Sequence, residues 1–214
     1  MNNKILNITG GDYFNNYLLQ KTNTPSVAFC EAMMDGNTVS EIYSEDFIKL
    51  RSQELNVSKT DYIAKMSVYR TLNENCFCKL HLWFGKDTFC QMNLLTLLAY
   101  LEQIKFSGKV ILNYIDDESF ETIEPNIDVK LGIYKKLYED ILIHKQMPDK
   151  TDVLIDKAIN LYFDYHSDTG TLAQLVRNNA GMEKIRLVSL LLENSKEYGL
   201  SDLQAEKLIN SICG

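Results

Sequence analysis

The chain is poor in several features that would narrow its function at once. It has three prolines in 214 residues and no low-complexity run, which argues against a disordered linker or tail. It has three histidines, His81, His144 and His166, none at H-x-x-x-H or Cys/His spacing, so no metal-ligand set is assigned. No apolar run approaches the ~20 residues needed to span a bilayer. The longest, Leu94–Leu101, is interrupted by Thr96 and Tyr100. The opening MNNKILNITGGDYF lacks the apolar core and small-residue cleavage site of a secretory signal, so the expectation is a cytoplasmic protein with no membrane partner. A basic excess is missing too. The chain has 22 Lys and Arg against 29 Asp and Glu, a net charge of -7. Binding to phosphate backbones needs a basic face, so nucleic acid is not an expected partner.

Recognisable catalytic motifs are also absent. Gly10-Gly11-Asp12 is not G-x-G-x-x-G, and Gly85-Lys86-Asp87 lacks the earlier glycine and the Ser/Thr of a phosphate loop. No G-x-S-x-G elbow occurs. His166-Ser167-Asp168 has the composition of a triad, but three adjacent residues cannot adopt its stacked geometry. His81, alternating within a strand, reads as a core or edge residue, because a catalytic base needs a positioned partner. The five cysteines, Cys30, Cys76, Cys78, Cys90 and Cys213, are odd in number and scattered through apolar context. They read as small hydrophobes. Cys76-Phe77-Cys78 has the wrong spacing for C-x-x-C chemistry and would put two thiols on one strand face. No cofactor is assigned, and no reaction.

What is present is an architecture. Hydrophobic residues make up 45% and charged residues 24%, as in an ordinary globular chain, enough for one sizeable domain and a small helical appendage. Four β-rich runs are spaced along the first part: Lys4–Thr9, Ser26–Ala32, Cys78–Phe84 and Lys109–Ile115. Helical patterns lie between them, at Tyr13–Lys21, Ser44–Leu55, Lys59–Leu72 and the helix after Gly85. Strands separated by helices imply parallel crossovers. The expected fold is therefore α/β, a mostly parallel open sheet of about four strands with flanking helices, followed by an all-helical C-terminal region. Asp128–Gln146 reads as a helix, Pro148 as a break, and Thr151–His166, Thr171–Asn178, Met182–Tyr198 and Ser201–Cys213 as four more. The domain assignment is 1–147 and 148–214. Gly199 suits a left-handed helix end, and Ser201 with Gln204 forms a capping box. Thr88 with Gln91 reads as another. On the helix beginning there, Asn93, Thr96, Tyr100 and Gln103 make one narrow polar stripe on an otherwise apolar surface, so most sides should be covered.

In open parallel sheets, ligands lie beyond the carboxyl ends of the strands. The residues there are Gly10, Gly11 and Asp12, then Glu31, then Gly85, Lys86 and Asp87, then Asp116, Asp117 and Glu118. Small residues and helix N-termini favour an anion. The acids favour a cation or ligand hydroxyls and amines. Capping alone explains any single one of these acids.

Several of these stretches resemble the bacterial domain-of-unknown-function 1835 family. ILNITGGDYF matches its N-G-D through Gly11 and Asp12, and FCEAMMDGN matches W-R-E-x-L-x-x-G-P through Glu31 and Gly36. Arg51 stands where the family has a helical Arg. Trp83, Phe84, Asp87, Phe89, Cys90, Asn93 and Leu94 match W-F-E-x-D-x-F-C-x-x-N-L, and Gly199, Leu200 and Glu206 lie near its C-terminal pattern. Phe29-Cys30 replaces Trp-Arg, Asn37 replaces Pro, and Gly85 replaces the Glu after Trp-Phe. The resemblance implies the fold and the site positions; it brings no reaction. The resulting site hypothesis is a small polar or phosphorylated ligand bound by Asp12, Glu31, Arg51, Trp83 and Asp87. Arg51 would pair with a ligand anion or orient Asp12 or Glu31, and Trp83 would supply a stacking wall. The alternative is a regulatory protein that contacts partners through its C-terminal helices. From Pro148 onward there are 7 Lys and Arg against 10 Asp and Glu, a difference of -3, which disfavours DNA there.

Overall fold

The computed structural model describes residues 4–74 and 77–213; the Cys76 thiol pairing expected above lies outside them. The chain divides into two compact units, Met1–Lys86 with Cys90–Pro148, and Asp87–Phe89 with Asp149–Gly214. Among the described residues no helix is long and apolar enough to cross a membrane.

The first unit is built on a five-stranded sheet of order β2-β1-β3-β4-β5. Its strands are β1 Ile5–Thr9, β2 Ser26–Ala28, β3 Lys79–Phe84, β4 Lys109–Ile115 and β5 Thr122–Val129. The first four run parallel and β5 is antiparallel to β4. This is the expected mostly parallel α/β class. The register aligns Ile8 with Leu82 and Leu82 with Leu112, and Thr9 with Trp83 and Trp83 with Asn113. Because side chains alternate, these two rows occupy opposite faces. The Leu6, Ile8, Leu80, Leu82, Phe84 and Leu112 row is wholly buried. The row with Asn7, His81 and Trp83 lies on the other face, where α1, Asp12–Lys21, lays Phe14 and Leu18 against Ile115 with Trp83 and Phe120 packed alongside. Crossovers on opposite faces are what right-handed connections demand when strand order reverses about β1.

The next helices along the chain are α2 Glu45–Glu54, α3 Lys59–Lys65, α4 Ser67–Glu74, which contacts β2, and α5 Thr88–Gln103, whose centre is wholly buried. In α5, Leu94, Leu95, Leu97, Leu98, Ala99 and Leu101 have no exposed surface. Each fully buried leucine contributes ~1.5–3 kcal/mol. Asn93, Thr96 and Tyr100 of the polar stripe are buried as well, Gln103 partly so, and the stripe has partners. The Asn93 amide accepts from Met33 N (2.9 Å) and donates to Glu31 O (2.5 Å). The Gln103 amide accepts from Ile42 N and donates to Ile42 O, both at 2.9 Å. The stripe is the seam that binds the 31–42 segment to the core.

Several expectations differ from the structure, the run Ser26–Ala32 among them, of which only Ser26–Ala28 is strand. The single helix Lys59–Leu72 is two, α3 and α4, broken at Met66, whose backbone leaves helical values. The helix Asp128–Gln146 is shorter: Asp128 and Val129 belong to β5, and helicity begins at α6, Tyr134–Tyr138, continuing as a π-helical turn over Glu139–Ile143. β5 itself was not expected. Its TIEPNIDV does alternate polar and apolar residues, but Pro125 interrupts the run and sits on an edge strand, where a missing donor is tolerated.

The second unit contains α7 Asp156–Tyr165, α8 Thr171–Asn178, α9 Lys184–Asn194 and α10 Asp202–Cys213. Its interior includes Ile159, Tyr162, Leu172, Val176, Leu187, Leu191 and Ile209. Asp164 starts α8 by accepting from the Thr171 amide and hydroxyl, and it also takes the Tyr198 hydroxyl at 2.6 Å. Burial and that carboxylate push the Tyr198 hydroxyl up to about 12. Gly199 is left-handed, with φ 69°. Ser201 N donates to Gln204 Oε1 and Gln204 N to Ser201 Oγ, the reciprocal capping box. Thr88 behaves differently from the expected box. Its amide and hydroxyl both donate to Glu197 O, and Phe89 N donates to Tyr198 O. Gln91 Nε2 donates instead to Gly85 O.

Candidate functional site

β1 ends where the strand order reverses, and its last residues set the local geometry. Gly10 N donates to Trp83 O at 2.8 Å, which keeps the turn close to β3. A Cβ on Gly10 would come 3.0 Å from the Phe84 ring, so a larger residue there would press on that ring. A Cβ on Gly11 would meet nothing within 4 Å. Gly11 precedes α1 in extended backbone, and no side chain caps the helix. Asp12 is thus not the cap that helix-start statistics suggest. It is the first helical residue, and its carboxylate pairs with the ammonium of Lys65 from the end of α3. Both side chains are about half exposed. The Lys65 hydrogen bond is the main reason that the Asp12 carboxyl titrates below its ordinary range, and Asp12 holds Lys65 above its own.

Cys30 stands beside this pair and hydrogen-bonds to Asp12. Burial, then the negative charge of Asp12, push its thiol up to about 12. A thiol held protonated is a poor nucleophile, so Cys30 serves as a neutral wall and donor. The cluster at the end of β1 therefore offers uncapped helix amides, one ammonium, one carboxylate and one thiol.

Glu31 and Arg51 are brought together, but inside the protein. Arg51 NH2 lies 3.1 Å from Glu31 Oε2 and neither side chain is exposed. The guanidinium has five N–H donors. Nε and NH2 donate to Glu31 Oε2, NH2 also to Ala32 O, and NH1 to Asp35 O and Asn37 O. Every donor is used. Glu31 Oε2 also accepts from Ala32 N, and Oε1 takes the Tyr62 hydroxyl. Burial, with the negative charge of Glu31 as a further cause, raises the Tyr62 hydroxyl far above its usual range. Arg51 thus orients Glu31, one of the two roles expected of it. Its other partners are carbonyls of the 32–37 loop, which it folds around itself. Tyr69, fully buried nearby on α4, keeps a hydroxyl with no hydrogen-bond partner among the described residues.

Trp83 is on the other face of the sheet. Its Nε1 donates to Asn7 Oδ1 at 2.9 Å, its ring is 5.8 Å from Phe14, and His81 stacks beside it at 6.4 Å. The ring faces α1 as a half-buried packing element. Burial and Lys79 lower the His81 pKa, which favours its neutral form. Asp87 belongs with the helical unit, where it lies against Gly199. Asp116 fixes the β4–β5 turn by accepting from Glu118 N, Ser119 N and the Ser119 hydroxyl. Those bonds lower its carboxyl pKa. The five residues of the sequence-based site thus fall in several places: Asp12 at an open strand end, Glu31 and Arg51 in a buried clamp, Trp83 under α1, and Asp87 in the second unit. Sequence reasoning missed Lys65 and Tyr62. Their three-residue spacing places both on one side of α3, but nothing in the pattern indicates what that side meets.

No family model matches the chain, and neither a curated protein nor a solved structure does.

Proposed function

We propose that the α/β unit binds a small polar or phosphorylated ligand at the carboxyl end of β1. The observation that carries this reading is the open space at Gly11, in front of the uncapped α1 terminus and beside the Lys65 ammonium. Strand-order reversal creates a crevice at that point of a parallel sheet. Phosphate or carboxylate oxygens accept from first-turn amides and are favoured by the positive end of the helix dipole. Lys65 supplies the countercharge, and Asp12 accepts from a ligand hydroxyl or amine. The resemblance to the domain-of-unknown-function 1835 family supports Gly11 and Asp12 as site positions. Cys30 is protonated and Glu31 is fully engaged with Arg51 and Tyr62, so the reading is one of binding.

The test is thermal denaturation against nucleotides, sugar phosphates and inorganic phosphate, with and without Mg²⁺. At least one compound should raise Tm. Gly11→Val is the informative variant. Its backbone is extended and its Cβ position is open, so the fold should keep its Tm while the ligand-induced rise is lost. Lys65→Met should weaken binding of an anionic compound about tenfold, ~1.4 kcal/mol. No rise with any compound would overturn the proposal.

A further inference from the structure

The amino end of the same sheet holds a second feature, unrelated to the β1 carboxyl end. β2 is three residues long and pairs with β1 only from Asn7 onward, through Asn7 and Ser26. Ile5, two residues earlier, pairs with Lys79 of β3 but has no β2 partner. The chain reaches β2 through a 22–25 turn anchored by Asn7 N donating to Pro25 O at 2.9 Å. Among the described residues this edge holds a cavity of about 580 Å³ walled by Ile5, Leu6, Pro25, Val27 and Phe77, with the polar Asn23, Thr24 and Thr71 and the charged Lys4 completing its lining. That volume is within the range of small-ligand sites.

Several lysines gather at this end of the sheet. The chain as a whole carries -7. At this end, however, Lys4 precedes β1, Lys79 opens β3 and Lys109 opens β4, and the register places Ile5, Lys79 and Lys109 side by side. Lys21 closes α1 immediately before the 22–25 turn. Lys109 has a carboxylate 3.9 Å away on Asp128. Among the described residues the lining itself has no acid. A mostly apolar chamber with one ammonium on its wall and further lysines along the same strand ends suits an apolar body that carries one negative charge.

We propose that this cavity binds an aliphatic monocarboxylate, its tail against Ile5, Leu6, Val27 and Phe77 and its carboxylate at Lys4. The site stands independently of the one at Gly11. Calorimetric titration with hexanoate, heptanoate and octanoate tests the apolar part. Affinity should rise about fourfold per added methylene, the transfer value of a buried CH₂. Octanol, with the same tail and no charge, should bind at least fivefold more weakly than octanoate. Lys4→Gln should erase that difference and leave octanol binding unchanged. Val27→Trp, which fills the chamber, should abolish binding of both. Gly11→Val should bind octanoate as the parent does. If Val27→Trp does not fold, Lys4→Gln, on an exposed side chain, decides the matter. Affinity independent of tail length, octanoate binding that survives Lys4→Gln unchanged, or no binding at millimolar octanoate would each overturn the proposal.

Discussion

At the scale of the residue, Arg51 shows how far chemical type underdetermines role. An arginine near strand ends suggests anion recognition, yet here one carboxylate and three carbonyls use all its donors. Burying two charges is expensive, and removing one partner leaves the other unpaired in a medium that cannot solvate it. Arg51→Met should therefore cost about 3–5 kcal/mol in urea unfolding, with the midpoint falling and loss of cooperativity around the 32–37 loop. Glu31→Gln should be destabilising in the same direction. An Arg51→Met variant as stable as the parent would show that the pair is dispensable. The sequence pointed to Glu31 through its place after the second β-rich run, and to Arg51 through the family resemblance. It could not show that they face inward, since a single chain records neither the 32–37 carbonyls nor the Tyr62 hydroxyl as their neighbours. Asp12 was legible for a different reason. It follows two glycines at a strand end, and that local pattern survives folding.

Among the elements, what was readable was what local chemistry decides. The first four strands, α1, α2 and α5 follow from apolar periodicity and strand-ending glycines. The Ser201–Gln204 box and the left-handed Gly199 follow from side-chain reach and backbone sterics. The losses came where a distant partner overrides a local preference. Thr88 does not cap its own helix, because the carbonyls of Glu197 and Tyr198 already take the amides of Thr88 and Phe89. β5 forms because β4 offers an edge, even though Pro125 interrupts its alternating pattern. Gly199 carries two constraints at once: φ is 69°, and a Cβ would stand 2.1 Å from Asp87 Oδ1. Gly199→Ala should lower stability by at least the ~1–2 kcal/mol of a left-handed non-glycine residue, read as a fall in Tm. Ser201→Ala, which removes only the cap, should cost about 1 kcal/mol, and the order of the two variants checks the assignment.

For the molecule as a whole, the polar stripe on α5 has a kinetic consequence. Loops beyond strand ends are usually the most mobile part of a protein and are where ligand-binding lids arise. The segment following β2 is held differently. Its Met33 and Ile42 amides are given to side chains of α5, a helix whose centre has no exposed surface, and its carbonyls at 32, 35 and 37 belong to Arg51. These amides can exchange with solvent deuterium only when α5 itself opens. In native-state hydrogen exchange, Met33 and Ile42 should be protected to nearly the same degree as the centre of α5, whereas Tyr13 and Phe14 in the first turn of α1 should exchange early. Fast exchange at Met33 would mean that the segment opens alone. A segment that moves with the core cannot close over a ligand, so the candidate site at Gly11 keeps its entrance open and ligand residence there depends on direct contacts, without a gate.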